Sequence, residues 1–187
     1  YKPNVNNQLD YDVLGKISKE SQDQGFFSSV IGDIDQLESS SPYSINQNVN
    51  YYYTLNANNI FALEAQHLLS DEDPFYNAIL EDKDNYENTA NSLGLDGAQL
   101  NYNVAQDKRI KSNQLDAKLD YWNILNTKSD INFTLGTILS NQKFNSNIFQ
   151  FLDNGSMFNP TPTINGGLDD NDIDYSFSDL YLGVHYR

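Results

Sequence analysis

Apolar and polar residues alternate along residues 115–139, the most regular stretch of the chain. In residues 115–121 the odd positions are apolar and the even positions are charged, and in residues 131–139 the odd positions are again mostly apolar. Successive side chains of a strand point to opposite faces, so this period of two predicts a two-faced β-hairpin. The polar residues 126–130 supply the turn between its strands.

The same alternation predicts further strands on both sides of this hairpin, at residues 9–18, 44–56, 60–70 and 175–187. Residues 60–70 also suit a helix, because Ala, Leu, Glu and Gln are good helix formers. The tight, Asn-rich turn at 57–59 directly after an evident strand favours a strand instead.

Residues 98–125 alternate too, but the apolar positions change from even to odd along the way. Either a β-bulge or a turn near 108–113 would cause this, because one extra residue reverses the faces of all that follows. We favour one long bulged strand. The short turns at 57–59 and 126–130 then lie on one side of the sheet.

Three long loops then lie on the opposite side, at residues 19–43, 71–97 and 141–173. Loops this long without regular structure are uncommon in compact domains and usually have a function. The sequence therefore predicts an all-β fold. It is an up-and-down antiparallel meander of about six long strands within one segment, residues 1–187.

Aromatic residues make up 13% of the chain, whereas hydrophobic residues as a whole make up 39%. Several Tyr residues and the single Trp fall near the short turns or the chain end, at one level of the predicted sheet. Such residues favour membrane interfaces, where the ring is half-buried and its polar edge stays wet. We expect a membrane-interface girdle and hence part of a transmembrane β-barrel with a polar, lumen-facing side. The predicted girdle residues are Tyr51, Tyr53, Tyr121, Trp122, Tyr181 and Tyr186.

The charge and the motifs narrow the function further. A net charge of −15 repels phosphate backbones, so we expect no nucleic acid among the partners. The chain has no Cys, only His67 and His185 as histidines, and no recognisable catalytic motif, so we expect no enzyme. His67 lies on the predicted apolar face, and we expect a neighbouring residue to hydrogen-bond its ring rather than His67 to bind a metal.

The predicted loops carry the candidate contacts with an external ligand. Their aromatic residues are the ligand-binding candidates: Phe75, Tyr76, Phe144, Phe149 and Phe151.

A D-x-D-x-D spacing at Asp170, Asp172 and Asp174 resembles the opening of a calcium loop. Tyr175 stands where such a loop needs Gly, and Tyr181 stands where it needs Glu. The spacing is therefore a weak Ca²⁺ candidate, and we expect no other cofactor.

Residues 48–77 and 115–153, with the phrases QHLLSDEDPFYN and NQKFNSNIFQ, resemble the barrel of TonB-dependent-receptor-like proteins of Gram-negative outer membranes. The resemblance is to the type that carries a carboxypeptidase-like regulatory domain. It implies a barrel of about 22 strands around a plug domain, engaged in ligand uptake. This chain departs from that pattern because it holds no plug, no TonB-box segment and too few strands, so we expect an internal part of such a barrel.

The resemblance implies an outer-membrane location, with membrane lipid, the remaining barrel and plug, and TonB or other envelope proteins as partners. Two alternatives stay open. One is a soluble or surface-anchored all-β binding module, an adhesin or glycan binder, whose apolar faces pack as a sandwich. The other is a structural barrel subunit of an envelope secretion or assembly complex.

Overall fold

A computed structural model describes residues 4–160 and 170–187 and, of residues 170 and 171, the backbone alone. In these residues ten β-strands form one antiparallel sheet, accompanied by one α-helix. The elements are β1 (Asn7–Ile17), β2 (Glu20–Ser28), β3 (Gly32–Ser40), β4 (Tyr43–Asn56), β5 (Asn59–Glu72), β6 (Phe75–Leu80), α1 (Lys83–Ser92), β7 (Tyr102–Asn126), β8 (Ser129–Phe151), β9 (Met157–Phe158) and β10 (Asp170–Tyr186).

Three pairs of short strands are consecutive pieces of longer ones: β1 with β2, β3 with β4, and β5 with β6. Tyr43 pairs with Asp71, and four residues earlier Ser39 pairs with Phe75, so the register continues unchanged across the interruption. With β7, β8 and β10 these make six long antiparallel strands in sequence order, which confirms the predicted meander. Residues 60–70 lie within β5, which confirms the strand there.

The short turns lie at the lower end of the sheet, at residues 57–58 and 127–128, as predicted. The helix α1 lies at the upper end. It ends in a Schellman motif, in which Gly94 has φ 69°, the N–H of Leu95 bonds to the carbonyl of Ala90 at 2.9 Å, and that of Gly94 bonds to Asn91 at 3.2 Å.

The predicted long loops are wrong in large part. Residues 19–43 contain β2 and β3, residues 71–97 contain β6 and α1, and β8 and β10 take up most of 141–173. Strands β2 and β3 are largely polar on both faces, and β6 and upper β8 carry apolar residues on both faces, so these segments lack the alternation that marks a half-buried strand. The part of the last predicted loop at 161–169 lies outside the described residues.

The predicted bulge near 108–113 is also wrong. The pairing of β7 with β8 runs without a shift from Asn103 with Phe151 to Ile124 with Asp130. The apolar residues of β7 change from one face of the strand to the other because its upper and lower parts have different surroundings. Tyr102 and Val104 pack against the region of α1, whereas the apolar residues lower down lie on the other face.

The sheet has a convex and a concave face. On β1 to β8 the odd-numbered residues lie on the convex face; on β10 the even-numbered ones do, because Leu135 pairs with both Leu119 and Leu182. A cleft of about 490 Å³ on the other face defines the concavity. It is lined by residues of the two end strands β1 and β10 and of β4, β5 and β7, among them Asp12, Asn50, Glu64, Asp116, Lys118 and Tyr181.

The buried core is small and lies at the upper end of the concave face. Ala90, Leu95 and Tyr102 form its centre. The chain exposes 12400 Å², against roughly 9100 Å² expected for a compact globular protein of 21.3 kDa. Most apolar side chains of the lower strands are therefore not covered by the sheet itself.

Candidate functional site

The convex face carries a contiguous band of exposed and half-buried, mostly apolar side chains across all six long strands, which we name the apolar band. Leu180 and Leu182 are 73% and 76% exposed. The band residues are Leu9, Tyr11, Val13, Val49, Tyr51, Tyr53, Phe61, Leu63, Ala65, Leu115, Ala117, Leu119, Tyr121, Ile131, Phe133, Leu135, Thr137, Leu139, Leu180, Leu182, Val184 and Tyr186. The described residues place no second layer over this face.

The height of the band is limited. From Ile131 to Leu139 it rises eight residues along β8, or about 27 Å at ~3.4 Å per residue. With a strand tilt of about 40°, typical of barrels, this becomes roughly 21 Å, close to the ~25 Å band of outer-membrane barrels.

A row of stacked aromatic rings forms the lower border of the band. The ring centroids of Tyr53 and Phe61 lie 6.3 Å apart, those of Phe61 and Tyr121 4.7 Å, and those of Tyr121 and Phe133 6.2 Å. The Tyr121 hydroxyl donates to Asn59 at 2.5 Å. Tyr121 thus combines an apolar ring with a hydrogen-bonded polar edge.

Four of the six predicted girdle residues, Tyr51, Tyr53, Tyr121 and Tyr186, lie on the convex face. Trp122 and Tyr181 lie on the concave face instead. Adjacent residues of a strand point to opposite sides, so Trp122 cannot share a face with Tyr121.

Charged residues form the upper border of the band. Asp71, only 7% exposed, accepts hydrogen bonds from Nε and Nη2 of Arg109 at 3.0 and 2.9 Å, and Lys111 Nζ lies 3.7 Å away. These hydrogen bonds from Arg109 hold the pKa of Asp71 below its usual value. On the next strands Lys143 pairs with Asp174 at 3.3 Å.

His67 lies at the upper edge of the band and is satisfied by two amides, as predicted. Gln47 Nε2 lies 3.1 Å from its Nδ1, and Asn113 Oδ1 lies 2.9 Å from its Nε2. Both ring nitrogens therefore have polar partners, although the side chain lies on the apolar face.

The lower concave face is polar and charged. Lys118 Nζ lies 3.2 Å from Glu64 and 3.1 Å from Asp120, and Thr134 donates to the same Asp120. The ring of Tyr181 covers Gly136 on the adjacent strand. Polar residues thus face the concavity at the same height at which the apolar band faces outward.

A transverse line of interruptions crosses three of the six long strands, and we name it the seam. It consists of residues 18–19, 41–42 and 73–74 and contains Pro42 and Pro74. Proline has no N–H for the strand ladder. At the seam the Asp73 carboxylate accepts hydrogen bonds from the backbone N–H and from the hydroxyl of Ser41, both at 2.7 Å. These two bonds lower the pKa of Asp73.

A cleft of about 910 Å³ lies at the seam. Phe75 and Tyr76, two of the predicted ligand-binding residues, line this seam cleft. Two lysines and two glutamates balance their charges there in an otherwise acidic chain. The charged lining residues are Lys19, Glu20, Glu38 and Lys108.

The other predicted ligand-binding residues lie elsewhere. Phe149 and Phe151 contact each other edge to face, with centroids 5.1 Å apart, on the convex side of upper β8. Phe144 pairs with Ile110 and Ile173 on the concave side. All five predicted residues lie in strands rather than loops.

The calcium candidates also lie in a strand, because β10 begins at Asp170. Asp174 is paired with Lys143, and Asp172 accepts from Asn145 at 3.4 Å. The side chain of Asp170 lies outside the described residues. Within those residues no group of three acidic, His or Cys side chains could hold a metal ion.

Comparison with protein-family models and with curated proteins gives no match for this chain. In the part of the chain that the structure describes, no helix is long and apolar enough to cross a membrane.

Sequence reasoning missed the seam, the pairing of Asp71 with Arg109, and the contact of Tyr181 with Gly136. The Ser-Pro and Asp-Pro dipeptides at 41–42 and 73–74 are a visible signal for the seam, because proline interrupts a strand ladder. The two other contacts depend on strand register, which no short motif encodes.

Proposed function

We propose that this chain is a wall segment of an outer-membrane β-barrel of the TonB-dependent-receptor-like type, engaged in ligand uptake or surface binding. In this proposal the apolar band faces lipid and the concave face lines the lumen. The upper strands and the seam cleft contact the ligand outside the membrane. The family itself rests on the sequence resemblance alone.

The observation that carries the membrane assignment is the apolar band, with an aromatic row along its lower border and ion pairs along its upper border. A sandwich would cover this face with a second sheet, whereas lipid covers an apolar band of just this height. The polar concave face at the same level supports the same orientation, since barrel strands alternate between lipid-facing and lumen-facing residues.

The seam cleft supports ligand contact above the lipid. It is about 910 Å³ in volume, within the usual range for ligand sites. Its lining combines the aromatic ring of Tyr76 with amide, hydroxyl and charged groups. These groups provide both stacking and hydrogen bonding for a polar ligand.

The membrane assignment is tested with single-tryptophan reporters. The native Trp122 lies on the concave face and is first replaced by Phe, and the other substitutions are made in this Trp122→Phe variant. Leu135→Trp or Leu182→Trp then places a reporter on the apolar band, and Asn50→Trp places a matched one on the concave face at similar height. Fluorescence is measured in isolated membranes with brominated lipids and with aqueous iodide.

We expect brominated lipid to quench the reporters at positions 135 and 182, and iodide to quench the one at position 50 more strongly. Recovery of the chain in the soluble fraction of its native source would refute the membrane assignment. So would iodide quenching of the two band reporters without any effect of the lipid.

A further inference from the structure

We propose that Arg109, Lys111 and Lys143 on the convex face bind the phosphate groups of anionic lipids at the upper border of the apolar band. We name these three residues the basic patch. This inference rests on the proposed membrane location, and it adds a headgroup site that the apolar band alone does not require.

The distribution of basic residues first points to this site. The chain has 11 Lys and Arg and a net charge of −15. On the convex face of the described strands, the basic residues are confined to this patch. Lys111 and Lys143 occupy directly opposite positions on β7 and β8. On its other neighbouring strand each lysine faces an acidic residue, Asp71 for Lys111 and Asp174 for Lys143, so the two like charges lie side by side between two carboxylates.

The height of the patch is the second observation. Lys111 lies four residues above Leu115, and Lys143 lies four above Leu139, at the upper edge of the apolar band. Four residues span about 14 Å along a strand. Lysine and arginine stems extend along apolar surface and place the charged group at the headgroup level.

The third observation is that the cations are held in place but still accessible. Between 48% and 60% of each of the three side chains is exposed. Asp71 engages Nε and Nη2 of Arg109, whereas a guanidinium has five N–H donors. The exposed pair of Lys143 with Asp174 is of a kind that contributes little stability. A phosphate can therefore bridge the two lysines beside the oriented guanidinium.

The test uses the protein purified from its native membrane, together with any strands that pair with its edges, and reconstituted in lipid vesicles with a reporter beside the patch. The Trp122→Phe, Asn141→Trp variant places the only Trp on the convex face between Leu139 and Lys143. Quenching by brominated phosphatidic acid is compared with quenching by brominated phosphatidylcholine, which gives the relative affinity for the two lipids. Lys111→Gln and Lys143→Gln are the test variants. Lys16→Gln on the concave face and Lys128→Gln in the lower turn make the same charge change elsewhere.

We expect preferential quenching by phosphatidic acid, reduced by about five-fold in each test variant and unchanged in both controls. Equal quenching by the two lipids, or an equal loss in the controls, overturns the headgroup site and leaves the membrane assignment intact. Loss of the preference in millimolar inorganic phosphate assigns the site to free phosphate and overturns the lipid source. If neither lipid quenches the reporter, the membrane assignment itself fails.

Discussion

At the scale of single residues, Asp71 marks where the apolar band ends. It lies four residues above His67 on β5, is almost fully buried, and is held by Arg109 and Lys111 from β7. A buried carboxylate without partners would be costly, so the basic side chains are required where the apolar surface gives way to polar surface.

Replacement of Asp71 by Asn should make stability depend differently on pH. Hydrogen bonds from Arg109 lower the folded-state pKa of Asp71, so the carboxylate stabilises the fold fully at pH values above its higher, unfolded-state pKa. This contribution is lost as the pH falls through the lower, folded-state pKa. We expect Asp71→Asn to lower the urea midpoint at pH 7, and the difference from the native chain to shrink towards pH 2.

Asp23→Asn is the control, because it removes an exposed carboxylate from β2 and reports the general effect of net charge. A difference between Asp71→Asn and the native chain that stays constant from pH 7 to pH 2 would contradict the role of this ion pair.

The residue scale also shows what sequence could and could not predict. The satisfied state of His67 followed from its place on an apolar face, where an unpaired imidazole is costly. Its partners Gln47 and Asn113 did not follow, because they come from strands whose register had to be known first. The opposite orientation of Trp122 and Tyr121 was readable from alternation alone.

At the scale of elements, the strands that sequence revealed are those of the apolar band. In β7 and β8 an apolar face opposes a polar one, and the period of two is visible. In β2 and β3 both faces are largely polar, so nothing distinguishes a strand from a loop. Their pairing comes instead from the neighbouring long strands, which they extend in unchanged register.

The pairing of β8 with β10 includes one close approach that a side chain would disrupt. A Cβ added to Gly136 would overlap the ring of Tyr181. We expect Gly136→Ala to destabilise the fold by about 1–3 kcal/mol, because a packed ring must leave its place. The change is measured as a shift in the urea unfolding curve.

Gly183→Ala is a matched control on the partner strand. Its added Cβ would lie 3.5 Å from the Cβ of Thr134, an ordinary contact. We expect it to be neutral, and Tyr181→Ala to remove the penalty of Gly136→Ala in the double variant. Equal destabilisation by the two alanine substitutions would show that loss of glycine, rather than the ring contact, matters.

At the scale of the whole molecule, the sheet is curled but not closed. Five strand spacings of about 4.8 Å would separate β1 from β10 by roughly 24 Å in a flat sheet. Yet one cleft of about 490 Å³ touches Asp12 on β1 and Tyr181 on β10. In the described residues, no pairing joins the two strands. The alternation pattern predicted the strands but contained no information on this curvature.

If lipid surrounds the apolar band, as proposed, the outer edges of β1 and β10 must be paired. Each unpaired backbone N–H or carbonyl in hydrocarbon costs several kcal/mol, so membranes contain closed barrels rather than open sheets. We therefore expect further strands to pair with both edges in the membrane. Hydrogen exchange should then find the β10 amides that point away from β8 as protected as the amides of β7.

The outer edge of β2 provides an internal control, because β2 pairs with β3 alone and lies above the apolar band. In the proposed orientation its outward amides lie outside the hydrocarbon, so water can satisfy them whether or not the sheet is closed. Fast exchange at the outer edges of both β10 and β2, with β7 still protected and the band reporters still quenched by lipid, would contradict closure. Slow exchange at β10 combined with fast exchange at β2 would place the closing strands at the level of the band, where the cost of an open edge is greatest.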